Sequence, residues 1–139
     1  MTALTPILHE AIVAGVRVRF FRPPTSSPDF PWHVADDLFA ALRFPRPVRR
    51  HFQQQLRAQH AGCIRTVATS EGIVTLAPHF MAQGAIGAGE EIGCAPYEAE
   101  IDYARAGAKA LSILTASLGL QGMESVVYAA EAFRRGGGA

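Results

Sequence analysis

A regular spacing of apolar residues runs through the last third of the chain. Seven positions are separated alternately by four and three residues, and only one of them, Thr115, is polar. They are Tyr97, Ile101, Ala104, Ala108, Leu111, Thr115 and Leu118. This heptad spacing places them along one side of a helix. It predicts a long helix with an apolar seam, which either a second helix over 123–133 or a second copy of the chain would cover. In a homodimer the interface residues would be Tyr97, Ile101, Ala104, Ala108, Leu111 and Leu118.

The preceding part of the chain has the patterns of strands. Val16–Phe20 alternates apolar and basic residues, as a half-buried strand does. Ser70–Gly72 separates two β-rich runs and predicts a hairpin. We therefore expect an α+β fold with a small antiparallel sheet, a central basic helix pair and a C-terminal helical hairpin. The predicted strands are 16–22, 32–35, 63–69 and 72–77.

Several short helices are also predicted from their start and stop residues. Thr5-Pro6 is typical of a helix start and predicts a helix that continues to Ala14. Asp36 or Asp37 is the predicted cap of the first central helix. Pro78 predicts a short helix to Ile86, and four glycines over 84–93 predict a flexible connection after it.

Length and composition limit the domain organisation and the protein class. The chain has 139 residues, of which 49% are hydrophobic, so it can form one domain with a core. Two cysteines cannot make a disulfide framework, and the charge-free stretch Ala110–Met123 is shorter than the about 20 residues of a membrane span. We expect a soluble cytoplasmic protein without a signal peptide or membrane partner. The expected organisation is an α+β domain over 1–95, a helical hairpin over 96–135 that packs on it or dimerises, and a disordered tail over 136–139.

Charge is distributed unevenly along the chain. Residues 1–70 carry nine arginines against four acids, whereas residues 71–139 carry four basic residues against eight acids. No Asp or Glu occurs from Leu38 to Ser70, although six arginines do. Such asymmetry indicates that one half of the protein faces a polyanion.

The helix predicted over 47–59 combines an apolar stripe with a face of arginine and glutamine. Arginine bonds guanine and clamps phosphates, and glutamine bonds adenine, so this face has the chemistry of a nucleic-acid contact. The candidate nucleic-acid-binding residues are Arg43, Arg46, Arg49, Arg50, Gln53, Gln54 and Arg57. An acidic protein partner and an ordinary solvated surface are the alternatives.

Other motifs give little support for catalysis or metal binding. The spacing of His51, His60 and Cys63 matches no known metal site. The glycines at 84–89 follow a predicted helix instead of a strand, so they do not form a nucleotide-binding fingerprint. We expect no enzyme activity, no cofactor and no metal. An enzyme that uses His33 or His79 is a weaker alternative.

Several segments resemble the Bro N-terminal domain of phage antirepressors and large DNA viruses. The family pattern contains a strand, a Trp-Phe-Val-Ala-x-Asp-Val-x-x-x-Leu-Gly-Tyr stretch, a basic helix and a hairpin. Here Trp32, Val34, Ala35, Asp37 and Leu42 match this stretch. His33 replaces Phe, and Arg43-Phe44 replaces Gly-Tyr. The resemblance covers about 16–88 and implies DNA binding, although the C-terminal third departs from the family pattern.

The charge pattern and the resemblance together predict a phage- or prophage-type, antirepressor-like regulator that contacts duplex DNA. The alternative is a small inhibitor that binds and blocks a host or phage protein. The acidic, alanine-rich region 85–104 distinguishes the two hypotheses, because a protein that only binds DNA has no use for it.

Overall fold

The computed structural model describes residues 3–137, which form one five-stranded antiparallel sheet with helices packed on it. The strands are β1 His9–Val13, β2 Val16–Phe21, β3 Trp32–Val34, β4 Arg65–Thr69 and β5 Gly72–Ala77, in the spatial order β1-β2-β3-β5-β4. The helices are α1 Ala35–Ala41, α2 Arg46–Gln59, α3 His79–Ile92, α4 Ala99–Ser117 and α5 Met123–Ala132. The predicted α+β fold is confirmed.

The main core lies between one face of the sheet and helices α1, α3 and α4. Val18 and Phe20 come from alternate positions of β2 and are fully buried. Leu38 and Leu42 cover them from α1, and Tyr103 covers them from α4. The alternation in β2 therefore places the predicted residues in the core, since successive side chains of a strand point to opposite faces.

A second, smaller core lies on the opposite face of the sheet. Phe21, Trp32 and Leu76 pack there with Ile7 from the N-terminal segment. The Thr5 amide donates to the Ala68 carbonyl oxygen at 2.8 Å, which ties this segment to β4. The N-terminal segment therefore spans the sheet instead of extending into solvent.

The predicted helix from Thr5 to Ala14 is wrong, because residues 9–13 form β1. Ala14 and Gly15 both have positive φ angles and make the two-residue turn into β2. The Ala14 amide donates to Asp102 Oδ2 of α4 at 2.9 Å. Pairing with β2 and cover by α4 outweigh the local start signal of Thr5-Pro6, which is a weak determinant alone.

The flexible connection predicted over 84–93 is also wrong, because α3 continues through it to Ile92. Gly89 faces Phe44 and Ala95 so closely that a Cβ atom would lie 3.0 Å from the Ala95 Cβ atom. Gly93 then ends the helix in the left-handed conformation, with φ of 86°. Gly89 thus allows close packing and Gly93 ends α3, and neither interrupts the helix before Ile92.

The central helices begin near their predicted positions but differ in their caps. Neither Asp36 nor Asp37 caps α1, since both lie in its first turn and Val34 occupies the cap position. Asp37 instead bonds Arg19 of β2. The strand predicted from Cys63 begins at Arg65, after a 3-10 turn over Ala61–Cys63.

Helices α4 and α5 form the predicted C-terminal hairpin. Helix α4 packs on the main core through Ala99, Tyr103, Ala106 and Ala110. Helix α5 is joined to the rest of the fold by a cluster of Phe30, Leu111 and Ala132. A π-helical turn, Phe133–Gly137, follows α5. The last two residues of the tail predicted to be disordered, 138–139, lie outside the described residues. No helix in the described part of the chain is both long and apolar enough to cross a membrane.

Candidate functional site

Helix α2 lies on the surface and has no fully buried residue. Its apolar stripe consists of the half-buried Val48, Phe52 and Leu56, which pack against the main core. The Phe52 ring lies 4.9 Å from the Phe44 ring and 6.0 Å from the Phe39 ring, between centroids. The stripe predicted from the sequence is thus the side that holds α2 to the protein.

The opposite side of α2 carries most of the predicted nucleic-acid-binding residues. Arg46, Arg50, Gln54 and Arg57 are exposed, and Arg49 is half-buried. Within residues 3–137, no carboxylate forms an ion pair with any arginine of this helix. This set of four arginines, Arg46, Arg49, Arg50 and Arg57, is called the α2 arginine face below.

Arg43 has a different role from the one predicted. It follows α1 in the left-handed conformation, with φ of 58°. One guanidinium nitrogen donates to the Ala14 carbonyl oxygen at 2.7 Å, and another donates to the Ala40 carbonyl oxygen at 3.3 Å. Arg43 therefore joins the end of α1 to the β1–β2 turn, and both of its terminal nitrogens form hydrogen bonds within the protein.

Gln53 is partly engaged by a carboxylate that the sequence pattern did not place near it. Its Nε2 atom donates to Asp36 Oδ1 of α1 at 2.9 Å. The acid-free run begins at Leu38, two residues after Asp36, and the fold brings Asp36 back against α2. The negative charge of Asp36 weakens the positive potential around Gln53.

Arg49 differs from its neighbours because part of its guanidinium group is shielded from solvent. Its Nε atom is buried without a hydrogen-bond partner in the described structure. A buried donor without an acceptor is unfavourable. Arg49 therefore presents only its terminal nitrogens to a ligand on this surface.

A groove of about 330 Å³ separates α2 from the β4–β5 hairpin. Arg57, Gln53 and Asp36 line one side of it, and Thr66 and Thr75 line the sheet side. The two threonines add hydroxyl groups next to the α2 arginine face. Sequence analysis missed them, because no local pattern indicates that β4 and β5 lie beside α2.

The arginines of β2 lie in a contrasting environment. Arg19 bonds both carboxylate oxygens of Asp37, at 2.8 and 2.9 Å, and this hydrogen bonding raises the pKa of Arg19. Arg17 bonds Glu10 of β1 and Glu71 of the β4–β5 turn. The pKa of Glu10 is lowered, mainly by its hydrogen bond with Arg17. These two arginines hold neighbouring elements together.

The predicted oligomer seam is divided between two environments. Leu111 and Thr115 are buried, and Leu111 packs within its own chain against Phe30 and Ala132. Leu111 therefore packs within the intramolecular hairpin, and it also lines the α4–α5 groove. Tyr97 is 97% exposed, Ile101 57% and Leu118 47%. Ala104 and Ala108 are exposed along an α4–α5 groove of about 510 Å³.

Two of the histidines flank the buried Tyr103. The Nδ1 atom of His33 lies 3.4 Å from the Tyr103 hydroxyl oxygen, and the His79 ring stacks on Tyr103 at 5.8 Å. Burial lowers the pKa of His33 to about 3 and also lowers the pKa of His79. The two histidines line separate cavities. From Ala3 to Gly137, no three His, Cys, Asp or Glu side chains are grouped as metal ligands.

No protein-family model matches the chain, and no curated protein or solved structure matches it.

Proposed function

We propose that this protein is a regulator that binds duplex DNA through the α2 arginine face. The observation that carries the proposal is the absence of carboxylate partners for these four arginines within residues 3–137. Arginines that no protein carboxylate neutralises are attracted to DNA phosphates. When the arginines bind, the phosphates release their counterions. The phage- or prophage-type role rests on the resemblance of 16–88 to the Bro N-terminal domain.

The polar residues of α2 differ in which part of a DNA duplex they can contact. Arg46, Arg50 and Arg57 are exposed and can reach phosphate oxygens. Gln54 is exposed and has no hydrogen bond to another side chain of residues 3–137, so its amide is the best placed for a base edge. Gln53 must first leave Asp36, which makes it a poorer base-reading residue.

A second copy of the chain is the proposed occupant of the apolar groove between α4 and α5. Tyr97 and Ile101 continue this apolar surface beyond the part of α4 that α5 covers. Glu98 and Arg105 are exposed one heptad apart, so an antiparallel second α4 brings each Glu98 close to Arg105 of the other copy. Two copies double the DNA contacts and thus raise the overall affinity.

The main experiment measures duplex-DNA binding against salt concentration. Each phosphate contact contributes about 0.9 to the log–log slope, so the α2 arginine face predicts a slope of about −3 to −4 per protomer. Replacing Arg46, Arg50 and Arg57 by glutamine should reduce this slope to about −1. The affinity at low salt should fall by at least about 100-fold.

A matched control removes three charges elsewhere on the surface. Arg22, Lys109 and Arg135 are exposed, and no carboxylate of the described residues pairs with them. Their replacement by glutamine changes the net charge equally but should leave most of the slope. Equal losses in both triple variants would mean that net charge alone attracts DNA, and a flat salt dependence in the wild type would contradict the proposal.

Light scattering tests the second copy separately. We expect a dimer at micromolar concentration in the wild type and a monomer in the Ile101→Asp variant, because a buried aspartate would be unpaired. A wild-type monomer would contradict the dimer but not the DNA contact.

An acidic surface supports a second candidate function, a small protein that inhibits a host or phage protein. Glu90, Glu91, Glu98 and Glu100 are all exposed where α3 and α4 meet. Glu90 and Glu100 line the same pocket, and the pKa of Glu90 is raised, first by its hydrogen bond to Glu100. Retention of one specific protein after nuclease treatment, together with no duplex binding, would favour this function.

A further inference from the structure

A cavity of about 320 Å³ lies under the half-buried side of α2, between this helix and α3. Its walls are mainly aromatic and aliphatic. The principal lining side chains are His33, Phe39, Phe52, Leu56, Phe80 and Met81. The cavity is partly open at the surface, because Gln55 is only half-buried and His60 is exposed. It is distinct from the α2 arginine face, which lies on the other side of the same helix.

The polar group of interest in this cavity is the side chain of His33. This residue is only 2% exposed. Its Nδ1 atom has the Tyr103 hydroxyl as partner, but its Nε2 atom has no partner in the described part of the protein. Nε2 keeps some contact with solvent, because it is not one of the fully buried side-chain atoms that lack a hydrogen-bond partner. Since His33 is otherwise enclosed, Nε2 is accessible from the cavity that the residue lines.

The tautomer of His33 follows from the surroundings of Tyr103. Tyr103 is fully buried, and His33 Nδ1 is the hydrogen-bond acceptor that its side chain finds among residues 3–137. The tyrosine hydroxyl therefore donates to Nδ1, and the proton of the neutral imidazole is on Nε2. Burial keeps the ring neutral, because it lowers the pKa of His33 to about 3. The enclosed part of the cavity thus contains the His33 N–H as a donor that lacks an acceptor.

The other walls determine the kind of molecule that fits. No Asp, Glu, Lys or Arg of the described residues lines the cavity, so a charged group there would lose its hydration without compensation. Three phenylalanine rings favour a flat aromatic body. The remaining requirement is an acceptor for the buried His33 donor, since the other polar lining residues, Gln55 and His60, lie at the opening to solvent.

We propose that this cavity is a binding site for an uncharged, flat aromatic small molecule that carries a carbonyl oxygen. The aromatic body packs among Phe39, Phe52 and Phe80, and the carbonyl oxygen accepts from His33 Nε2. The site does not depend on the DNA contact, since it requires only the side of α2 that faces the core.

Two probes of equal shape test the donor. Acetophenone has the aromatic ring and the carbonyl group, whereas α-methylstyrene has a CH₂ group in place of the oxygen. Binding is followed by two-dimensional NMR of the full chain, through the amide signals of residues around the cavity. We expect saturable binding of acetophenone that is at least about fivefold tighter than that of α-methylstyrene, because only the ketone satisfies the buried donor.

Two glycines of α3 provide a matched pair of variants. Gly84 lines the cavity and Gly87 does not. A Cβ atom at either position meets no atom within 4 Å beyond the neighbouring helix backbone of the described structure, so both positions have room for the start of a side chain. Gly84→Leu should fill the cavity opening and abolish binding of both probes. Gly87→Leu should bind them as the wild type does.

His33→Phe tests the proposed hydrogen bond directly. This variant should retain the aromatic cavity but lose the preference for acetophenone over α-methylstyrene. If it does not fold, the two probes and the glycine pair still decide the matter. Three results would overturn the proposal: no saturable acetophenone binding, equal affinity of the wild type for both probes, or unchanged binding in Gly84→Leu.

Discussion

The arginines of β2 and those of α2 are the same residue type in opposite environments. Arg17 and Arg19 bond carboxylates from three elements: β1, α1 and the β4–β5 turn. The arginines of α2 have no such partner in the described residues. The difference shows that a sequence rich in arginine does not itself indicate a polyanion site. What matters is whether the fold brings carboxylates to the arginines.

Topology explains why the two sets differ. β2 is an interior strand of the sheet, so neighbouring elements on both sides and on its faces can supply acids. Helix α2 is held along one side only, by Val48, Phe52 and Leu56. The β2 arginines therefore stabilise the fold, whereas the α2 arginines remain available to a partner.

The largest expected effect is on stability, from removal of the Arg19–Asp37 pair. Arg19 and Asp37 side chains are each only 14% exposed, so Arg19→Met leaves a poorly solvated carboxylate. We expect a loss of about 2–3 kcal/mol in the free energy of unfolding, measured by urea denaturation. Arg50→Met on α2 should change it by less than about 0.5 kcal/mol. Similar losses in both variants would remove the distinction between the two sets.

Acid protonates the carboxylates that pair with arginines and so breaks the pairs. It also lowers the free energy of unfolding through His33, and this second contribution must be measured separately. The unfolded state takes up a proton near pH 6.5, whereas burial lowers the pKa of folded His33 to about 3. Stability is therefore full above pH 6.5 and falls as the pH decreases towards 3. The loss from this group is at most about 1.4 kcal/mol per pH unit.

Urea denaturation at pH 7, 6 and 5 measures this slope. His33→Gln should flatten it in that range, since glutamine does not titrate. An unchanged slope in this variant would assign the acid sensitivity to other groups, such as the partly buried His79.

Asp36→Asn removes the carboxylate that lies against α2 and should therefore increase the difference between the α2 arginines and the paired β2 arginines. An asparagine can still accept from Gln53, so the fold should be preserved. We expect duplex DNA to bind about two- to fivefold more tightly at low salt, because one repulsive charge is lost. Glu124→Gln, on the distant α5, is the matched control and should have no effect. Weaker binding by Asp36→Asn would indicate that Asp36 positions Gln53 for the contact.

The smallest effect is expected at Arg17, whose partners Glu10 and Glu71 are exposed. Arg17→Gln should lower stability by much less than Arg19→Met, since exposed pairs are screened by water. The pKa of Glu10 is lowered by Arg17, so the stabilisation is present above pH 4.5 and is lost as the pH falls below it. Thermal unfolding of both proteins at pH 7 and pH 3 measures this difference, which should be smaller at pH 3.

The sequence predicted the elements whose signal is local and repeated. The alternation in β2, the proline-bounded α2 and the glycine in the β4–β5 turn all determined their structure within a few residues. β1 was mispredicted because Thr5-Pro6 locally favours a helix, whereas the strand depends on the turn at Ala14-Gly15 and on the hydrogen bond from Ala14 to the distant Asp102. The long α3 was missed because the packing of Gly89 against Phe44 and Ala95 depends on the tertiary structure.

The candidate site was predicted in outline but not in detail. The helical period separated the apolar stripe of α2 from its arginine face. It could not show that Arg43 bonds Ala14, that Asp36 reaches Gln53, or that Leu111 packs inside the hairpin. Each of these contacts joins residues that are brought together only by the fold, so a pattern along one helix does not contain them.

The sparse anchoring of α2 also has a dynamic consequence. An element without a fully buried residue loses little contact energy when it separates from its neighbours, so it can open while the sheet remains intact. Its amide hydrogens should therefore exchange with solvent sooner than those of β2 and α4. Such openings would make α2 the first part of the molecule to reach a protease and the easiest part to reorient on a partner.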